Sequence, residues 1–468
     1  MADSVAVVVA DPATTLRPGP PARAAHRTPD APLPATSSPE PADDGSPGRT
    51  RRTPARGSRA HPPAVLLVPA ILVSLVVLLP LVYLVLRAAA AGGESLDILS
   101  SRSTLRILGN SALLAALVTL FSALVAVPIA WLTTRTDLPA RRTWSLLAAL
   151  PLCVPSFVGG FVFVAAFGPR GMLRSLLAPL GVERLPEIYG LFGAVLVLTL
   201  FSYPYLLLTV RGALLGLDPA LEEASRGCGQ SPAATFRRVT LPHLRPSITA
   251  GALLVALYTL SDFGAVSLLR YNSFTRVIYT QYRSAFDRTP AAVLALLLVA
   301  FTITLLAVEW HARGRNAGMF RRADSAHRPP PIVPLGRWRW PAVAFCAAVV
   351  TLALVVPSTV LGYWLLRGLN SGESIRPLMG AAWNSLQASG LAAAVAALAS
   401  IPIAVLSVRH RSRLTGAIER STYVGYALPG VVVALSLVFF GARYGGALYQ
   451  SLIMLVLAYV VLFLPQAV

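Results

Sequence analysis

Ten long apolar runs set the terms on which this chain can fold. They are Ala64 to Leu86, Ser111 to Thr133, Ser145 to Phe167, Gly190 to Val210, Ile248 to Leu268, Ala291 to Ala312, Pro341 to Leu366, Ser385 to Val408, Thr422 to Phe440 and Ala447 to Leu464. About 20 mostly apolar residues of helix cross a bilayer. Lipid offers no partner for backbone N–H and C=O groups, so a crossing run must satisfy them internally, as a helix does. With 55% of its 468 residues hydrophobic and only 13% charged, the chain is expected to be an all-α polytopic membrane protein embedded in a lipid bilayer.

The formal charge is +20, and lysine is absent, so arginine carries all of the excess. In a soluble domain that balance would suggest nucleic acid. Here the arginines sit mainly between the apolar runs, where they read as a topology signal, so no nucleic-acid partner is expected. Residues 1–63 are rich in Pro, Ala, Ser and Arg without apolar periodicity, which predicts a disordered tail. Arg49, Arg51, Arg52, Arg56 and Arg59 precede the first run and place the N-terminus in the cytoplasm. Cys153, Cys228 and Cys346 are scattered, and none of the six histidines has a Cys, His or carboxylate at ligand spacing, so neither a disulfide framework nor a metal centre is expected. No catalytic set stands out and no cofactor is implied. A G-x-x-x-x-G-K-[ST] phosphate loop is impossible without lysine, so any ATP-derived energy must come from another chain.

The chain is a duplication. A shift of 274 residues brings Asn110-Ser111 onto Asn384-Ser385, Pro128-Ile129-Ala130 onto Pro402-Ile403-Ala404, Arg135 onto Arg409 and Pro155 onto Pro429. The first copy has six runs, an even number, so the copies lie parallel: six spans, then four of an expected six. This divides the chain into the tail 1–63, a first unit 64–312, an Arg/Pro-rich linker 313–340 and a second unit 341–468. Tyr203 falls on Tyr459 at a shift of 256, and on that shift the counterpart of Glu223 would lie eleven residues past Val468. The second copy is therefore expected to be incomplete, as in a fragment or a truncated reading frame.

Between the fourth and fifth runs lies a polar interlude. Asp218-Pro219 forms a good helix start, Gly229 an end, and Ser231-Pro232 a second start that should stop before Pro242. Arg226, Arg237, Arg238 and Arg245 would each cost about 2.5–3.5 kcal/mol at the bilayer centre, so the pair belongs on the cytoplasmic face. Glu223, Ala224, Ser225, Gly229, Val239, Leu241 and Pro242 follow, without a gap, the pattern Glu-Ala-Ala, three residues, Gly, nine residues, aliphatic, one residue, Leu-Pro. This resembles the cytoplasmic coupling loop of ABC-importer permeases, with Ser225 in place of the second alanine and Val239 in place of isoleucine. The resemblance implies that Glu222, Glu223 and the other loop residues couple the chain to an ATP-binding cassette ATPase dimer, Glu223 meeting a basic residue there. It also implies an extracytoplasmic substrate-binding protein on the opposite face, movement of substrate by alternating access, and a bacterial plasma-membrane location. Ser261-Asp262-Phe263-Gly264-Ala265-Val266 and Arg270 to Tyr279 resemble, more narrowly, the fused permeases of ferric-iron importers. Thiamine, phosphonate, sulfate and polyamine permeases share the architecture and stay open as alternatives.

Asp262 is the sharpest single candidate for a translocation path, with Ser261, Gly264, Pro155 and Pro429 beside it in the reading. A carboxylate within an apolar run marks a functional site by default, and its oxygen suits a passing ferric ion. The competing role is structural: a cap for a helix break at Gly264, or a partner for Arg270. The prolines bend helices and free carbonyls. A secondary transporter driven by an ion gradient would share parallel repeats but has no need of the polar helix pair. A membrane enzyme would need a reactive set that is not visible.

Overall fold

The computed structural model describes residues 63–90, 92–169, 171–181, 187–284, 289–314, 332–410 and 412–468. The expected N-terminal tail and most of the expected linker lie outside the described residues. Among those residues the only non-helical pairing is a bridge between Thr136 and Val333, so the fold is all-α. The principal helices are α1 (Ala64–Ala90), α2 (Arg102–Arg135), α3 (Arg141–Leu147), α4 (Ser156–Phe167), α5 (Leu191–Leu215), α6 (Pro219–Gly227), α7 (Leu241–Ser261) and α8 (Gly264–Leu268). They continue with α9 (Phe274–Ser284), α10 (Thr289–Gly314), α11 (Arg339–Val350), α12 (Val356–Asn370), α13 (Arg376–Arg409), α14 (Arg413–Thr422), α15 (Gly430–Tyr444) and α16 (Leu452–Ala467).

The duplication is visible in the backbone. Helices α2 and α13 are both 34 residues long, and their first and last residues stand at the 274-residue shift. In both copies the next span is broken at the same place. Three expected spans are broken in their interior, and a fourth, Ala447 to Leu464, becomes continuous helix only from Leu452. The run from Ser145 to Phe167 is α3, a 3-10 turn at Leu150–Cys153, then α4; the run from Thr422 to Phe440 breaks before α15. Proline has no N–H and drives the preceding residue out of the helical region. Val154 accordingly sits at φ −92°, ψ 117° before Pro155, and Leu428 at φ −93°, ψ 113° before Pro429. The run from Ile248 to Leu268 breaks without a proline, at Asp262, where α7 gives way to α8.

Inside lipid, burying leucine against leucine brings no hydrophobic gain, and close packing holds the helices together. Leu114 and Val118 of α2, Leu198, Phe201 and Leu206 of α5, and Val255 of α7 form the centre of the first copy. Glycine lets these helices approach. A Cβ on Gly251 would lie 2.8 Å from Leu206 Cα, one on Gly160 3.2 Å from Ala265 Cα, and one on Gly159 would run into the Phe201 ring. Tyr203, fully buried, donates its hydroxyl to Ala148 O at 2.7 Å and so ties the broken third span to α5. Leu72, Leu75, Leu120 and Leu398 are exposed, as lipid-facing residues must be.

The copies exchange their first helices. Helix α1 packs on α13, α14 and α15 as well as on α10, while α11 packs on α2 and α12 on α4. A second core joins Leu84 of α1 and Leu298 of α10 to Val432 and Val433 of α15 and Val461 of α16.

Candidate functional site

The polar interlude folds as a capped helix pair at one end of the first copy. Asp218 caps α6, its side chain accepting from Ala220 N at 2.9 Å, with Pro219 in the first turn. Gly229 ends the turn at φ +76°, a left-handed conformation that glycine adopts without penalty. Ser225 stands 3.0 Å from Thr235 Oγ1 and donates to Gln230 Oε1 at 3.4 Å, so this departure from the alanine pattern fastens the two short helices together. The second helix does not stop before Pro242 as its sequence suggests. A helical turn at Pro232–Thr235 passes into a wider π-helical turn, Phe236–Thr240, and on into α7 without interruption. Pro242 falls in the first turn of α7, and the wider turn before it makes room for a ring that an unbroken α-helix would drive into the carbonyl four residues back.

The two glutamates of the pair point to different surroundings. Glu222 is buried, 6% exposed, and accepts from Thr240 Oγ1 at 2.8 Å. It also forms an ion pair with Arg135, the last residue of α2, at 3.6 Å. Arg135 is 2% exposed and donates a second N–H to Leu214 O at 2.9 Å. A buried ion pair that joins three segments is costly to break, because either partner alone is left as an uncompensated charge. Glu223, Ala224, Arg226, Gly227, Cys228 and Gly229 are exposed, together with Leu221, whereas Val239, Leu241 and Pro242 are half-buried. The outer surface of α6 thus offers Leu221, the small Ala224 and Gly227, and one charge of each sign, Glu223 and Arg226; Arg237 and Arg238 are also exposed.

A second polar cluster lies where two broken spans cross. Asp262 is buried, its Oδ1 accepting from Ala265 N at 3.0 Å and Val266 N at 3.3 Å, while Ser156 donates its hydroxyl to Oδ2. Its backbone carbonyl accepts from Thr275 Oγ1 at 2.6 Å. The carboxyl group therefore caps α8 and holds the first residue of α4, the residue after Pro155. Gly264 lies beneath Phe157, where a Cβ would come within 2.7 Å of that residue's Cβ. Pro155, Asp262 and Gly264 are brought together at this crossing. Ser261 turns its hydroxyl back to Tyr258 O at 3.0 Å, and Pro429 occupies the equivalent break of the second copy, where Gly430 faces Leu462. Arg270 does not pair with Asp262 but stacks over the Tyr189 ring at 4.9 Å. Nearby, Tyr271 donates to Asn110 O at 2.9 Å, its phenol pushed up by burial, and Ser111 Oγ accepts from Phe274 N at 3.0 Å.

The sequence marks Arg135 as a position shared by the two copies but gives it no role, and it does not single out Ser156 or Thr240. The repeat held the signal for Arg135, since it is one of the few polar positions shared with the second copy.

Apolar helices in two copies, eight of them among the described residues long and apolar enough to cross a membrane, with a polar helix pair fastened at one end, are the architecture of a multi-pass membrane protein. The chain belongs to the family of binding-protein-dependent transport system inner membrane components: residues 126–313 match that family, and a relative aligns over most of the chain. That relative, the Fe(3+)-transport system permease protein FbpB 2 of Haemophilus influenzae, is 33% identical over 87% of this chain and 78% of its own. A probable molybdenum ABC transporter permease of Haloferax volcanii is 32% identical over 44% of this chain and 74% of its own. The sulfate transport system permease protein CysT of Salmonella typhimurium is 27% identical over 50% of this chain and 86% of its own. The chain is thus an ABC-type permease, a non-enzymatic multi-pass component of the inner membrane.

Proposed function

We propose that the chain is the membrane subunit of an ATP-driven importer for ferric iron, moving it from an extracytoplasmic binding protein to the cytoplasm by alternating access. The observation that carries the coupling half of this reading is the exposed face of α6. A short helix whose outward residues include Leu221 and Ala224, with Cys228 exposed in the turn that follows, suits insertion into a groove on a soluble partner. Glu223 beside it would meet a basic residue of the ATPase. On this reading the helix pair and the N-terminus lie in the cytoplasm, and closure of the ATPase dimer moves α6 and with it the helices it is fastened to. The binding protein docks at the opposite end, near α9 and the α8–α9 connection. Asp262 serves the path by fixing the crossing of α4 and α8.

Ferric iron is favoured by a relative that is named for Fe(3+) transport and aligns over 87% of this chain, and so over both copies. Its test is uptake of labelled ferric iron, molybdate, sulfate, thiamine and phosphonate in a strain with this locus deleted and then restored. Restoration of ferric-iron uptake alone is expected. Restoration of molybdate or sulfate uptake instead would reassign the substrate to the class named for the shorter relatives.

A further inference from the structure

The last residues of α2 hold two different parts of the molecule at once. The side chain of Arg135 grips the polar helix pair through Glu222 and the end of α5 through Leu214 O. Its backbone carbonyl accepts from Val333 N at 2.8 Å, and two residues on, Asp137 N donates to Val333 O at 3.3 Å. Asp137 Oδ1 then accepts from Leu335 N at 2.8 Å. Leu335 packs on the core of the first copy, and a single 3-10 turn leads from it into α11, the first helix of the second copy. Residues 135–137 are therefore a joint between the helix pair on one side and the second copy on the other. Arg135 is buried between the helix pair and the end of α5.

We infer that Arg135 is a positioning residue that passes movement of the α6 helix pair to both copies, through α2 directly and through the 332–335 segment to α11. The pair is set for such a role. Glu222 is hydrogen-bonded to Thr240 but stands 3.6 Å from Arg135 NH1, and the Nε and NH1 atoms of Arg135 have no hydrogen-bond partner. The ion pair thus links the helix pair to α2 by charge rather than by a direct hydrogen bond, and coupling between distant parts is carried by chains of packed and charged contacts of this kind. The inference rests on the reading of α6 as the ATPase contact, and the experiment separates the two.

The full chain is co-expressed with its ATPase, and three quantities are measured: ATPase co-purification, ATP hydrolysis, and ferric-iron uptake per ATP hydrolysed. Wild-type chain that recruits no ATPase would defeat the contact itself. Given recruitment, Arg135→Gln is expected to keep the ATPase bound, because the exposed face of α6 is intact, while uptake per ATP falls about 3- to 30-fold. A residue that merely stabilises the fold would lower the amount of complex and leave that ratio unchanged. Arg135→Lys should recover part of the ratio, since it keeps the charge but not the second N–H. If Arg135→Gln fails to accumulate, Asp137→Ala decides: it releases only Leu335 N, and the same ratio should fall. An unchanged ratio in whichever variant accumulates overturns the inference.

Discussion

The crossing of α4 and α8 allows the two roles open to Asp262 to be separated by a pair of substitutions. Asp262→Ala removes the acceptor for Ala265 N and Val266 N and strands the Ser156 hydroxyl. Loss of a helix cap costs about 0.5–2 kcal/mol and an orphaned buried hydroxyl about 1–3 kcal/mol, so a loss of about 1.5–5 kcal/mol is expected. Asp262→Asn keeps an oxygen for both amides, and its amide group can face Ser156, whose hydroxyl is able to accept as well as donate. That variant should remain within about 1 kcal/mol of wild type. Thermal unfolding in detergent, followed by the loss of monodisperse protein, reads the first quantity, and ferric-iron uptake in cells reads the second. On the capping account Asp262→Asn transports normally and Asp262→Ala loses stability and uptake together. A stable Asp262→Asn protein that transports nothing would refute it and put the carboxyl group on the substrate path; an Asp262→Ala protein as stable as wild type would refute the cap.

Other expectations follow from the same contacts. Glu222→Ala leaves Arg135 buried without its counter-charge and should destabilise by about 3–5 kcal/mol, whereas Glu223→Ala, on the exposed surface, should cost no more than about 1 kcal/mol yet lose the ATPase in pull-down. Thermal unfolding and pull-down of the two variants side by side test that division. Gly229→Asp puts a side chain on a left-handed residue in the exposed turn and should leave the protein in the membrane while ATPase association and uptake are lost; normal uptake would rule out the coupling role. Gly264→Ala would drive a methyl group to 2.7 Å from Phe157 Cβ and should cost about 1–3 kcal/mol, seen as a lower thermal midpoint.

Much of the architecture was legible because hydropathy and repetition are additive along a chain. Among the described residues eight helices are long and apolar enough to cross a membrane, the last two runs appear as the shorter apolar helices α15 and α16, and the 274-residue shift anticipates the matched bounds of α2 and α13. The caps at Asp218 and Gly229 were equally plain, being local backbone chemistry. The helix breaks were not, since averaging over apolar residues is blind to a backbone that turns extended for one or two positions. Pro155 and Pro429 hinted at two of them. At Asp262 the break depends on Ser156, 106 residues away in sequence. The same distance problem hid the division between Glu222 and Glu223. Neighbours in sequence, they stand about 100° apart on α6, one buried and one exposed, and the buried one meets Arg135 on another helix. Pro242 failed as a stop signal because the π-helical turn before it, which no local preference announced, absorbs the ring.

Cys228 provides the most direct test of the central claim, that the exposed side of α6 faces the cytoplasm and is covered by an ATPase. Cys346 is buried and Cys153 is exposed, so a Cys153→Ala protein carries one reactive thiol, in the turn after α6. A membrane-impermeant maleimide should label it in inside-out vesicles and not in intact cells or right-side-out vesicles, and co-expression of the ATPase should block the labelling. Labelling from the outside, or labelling that the ATPase leaves unchanged, would contradict the account.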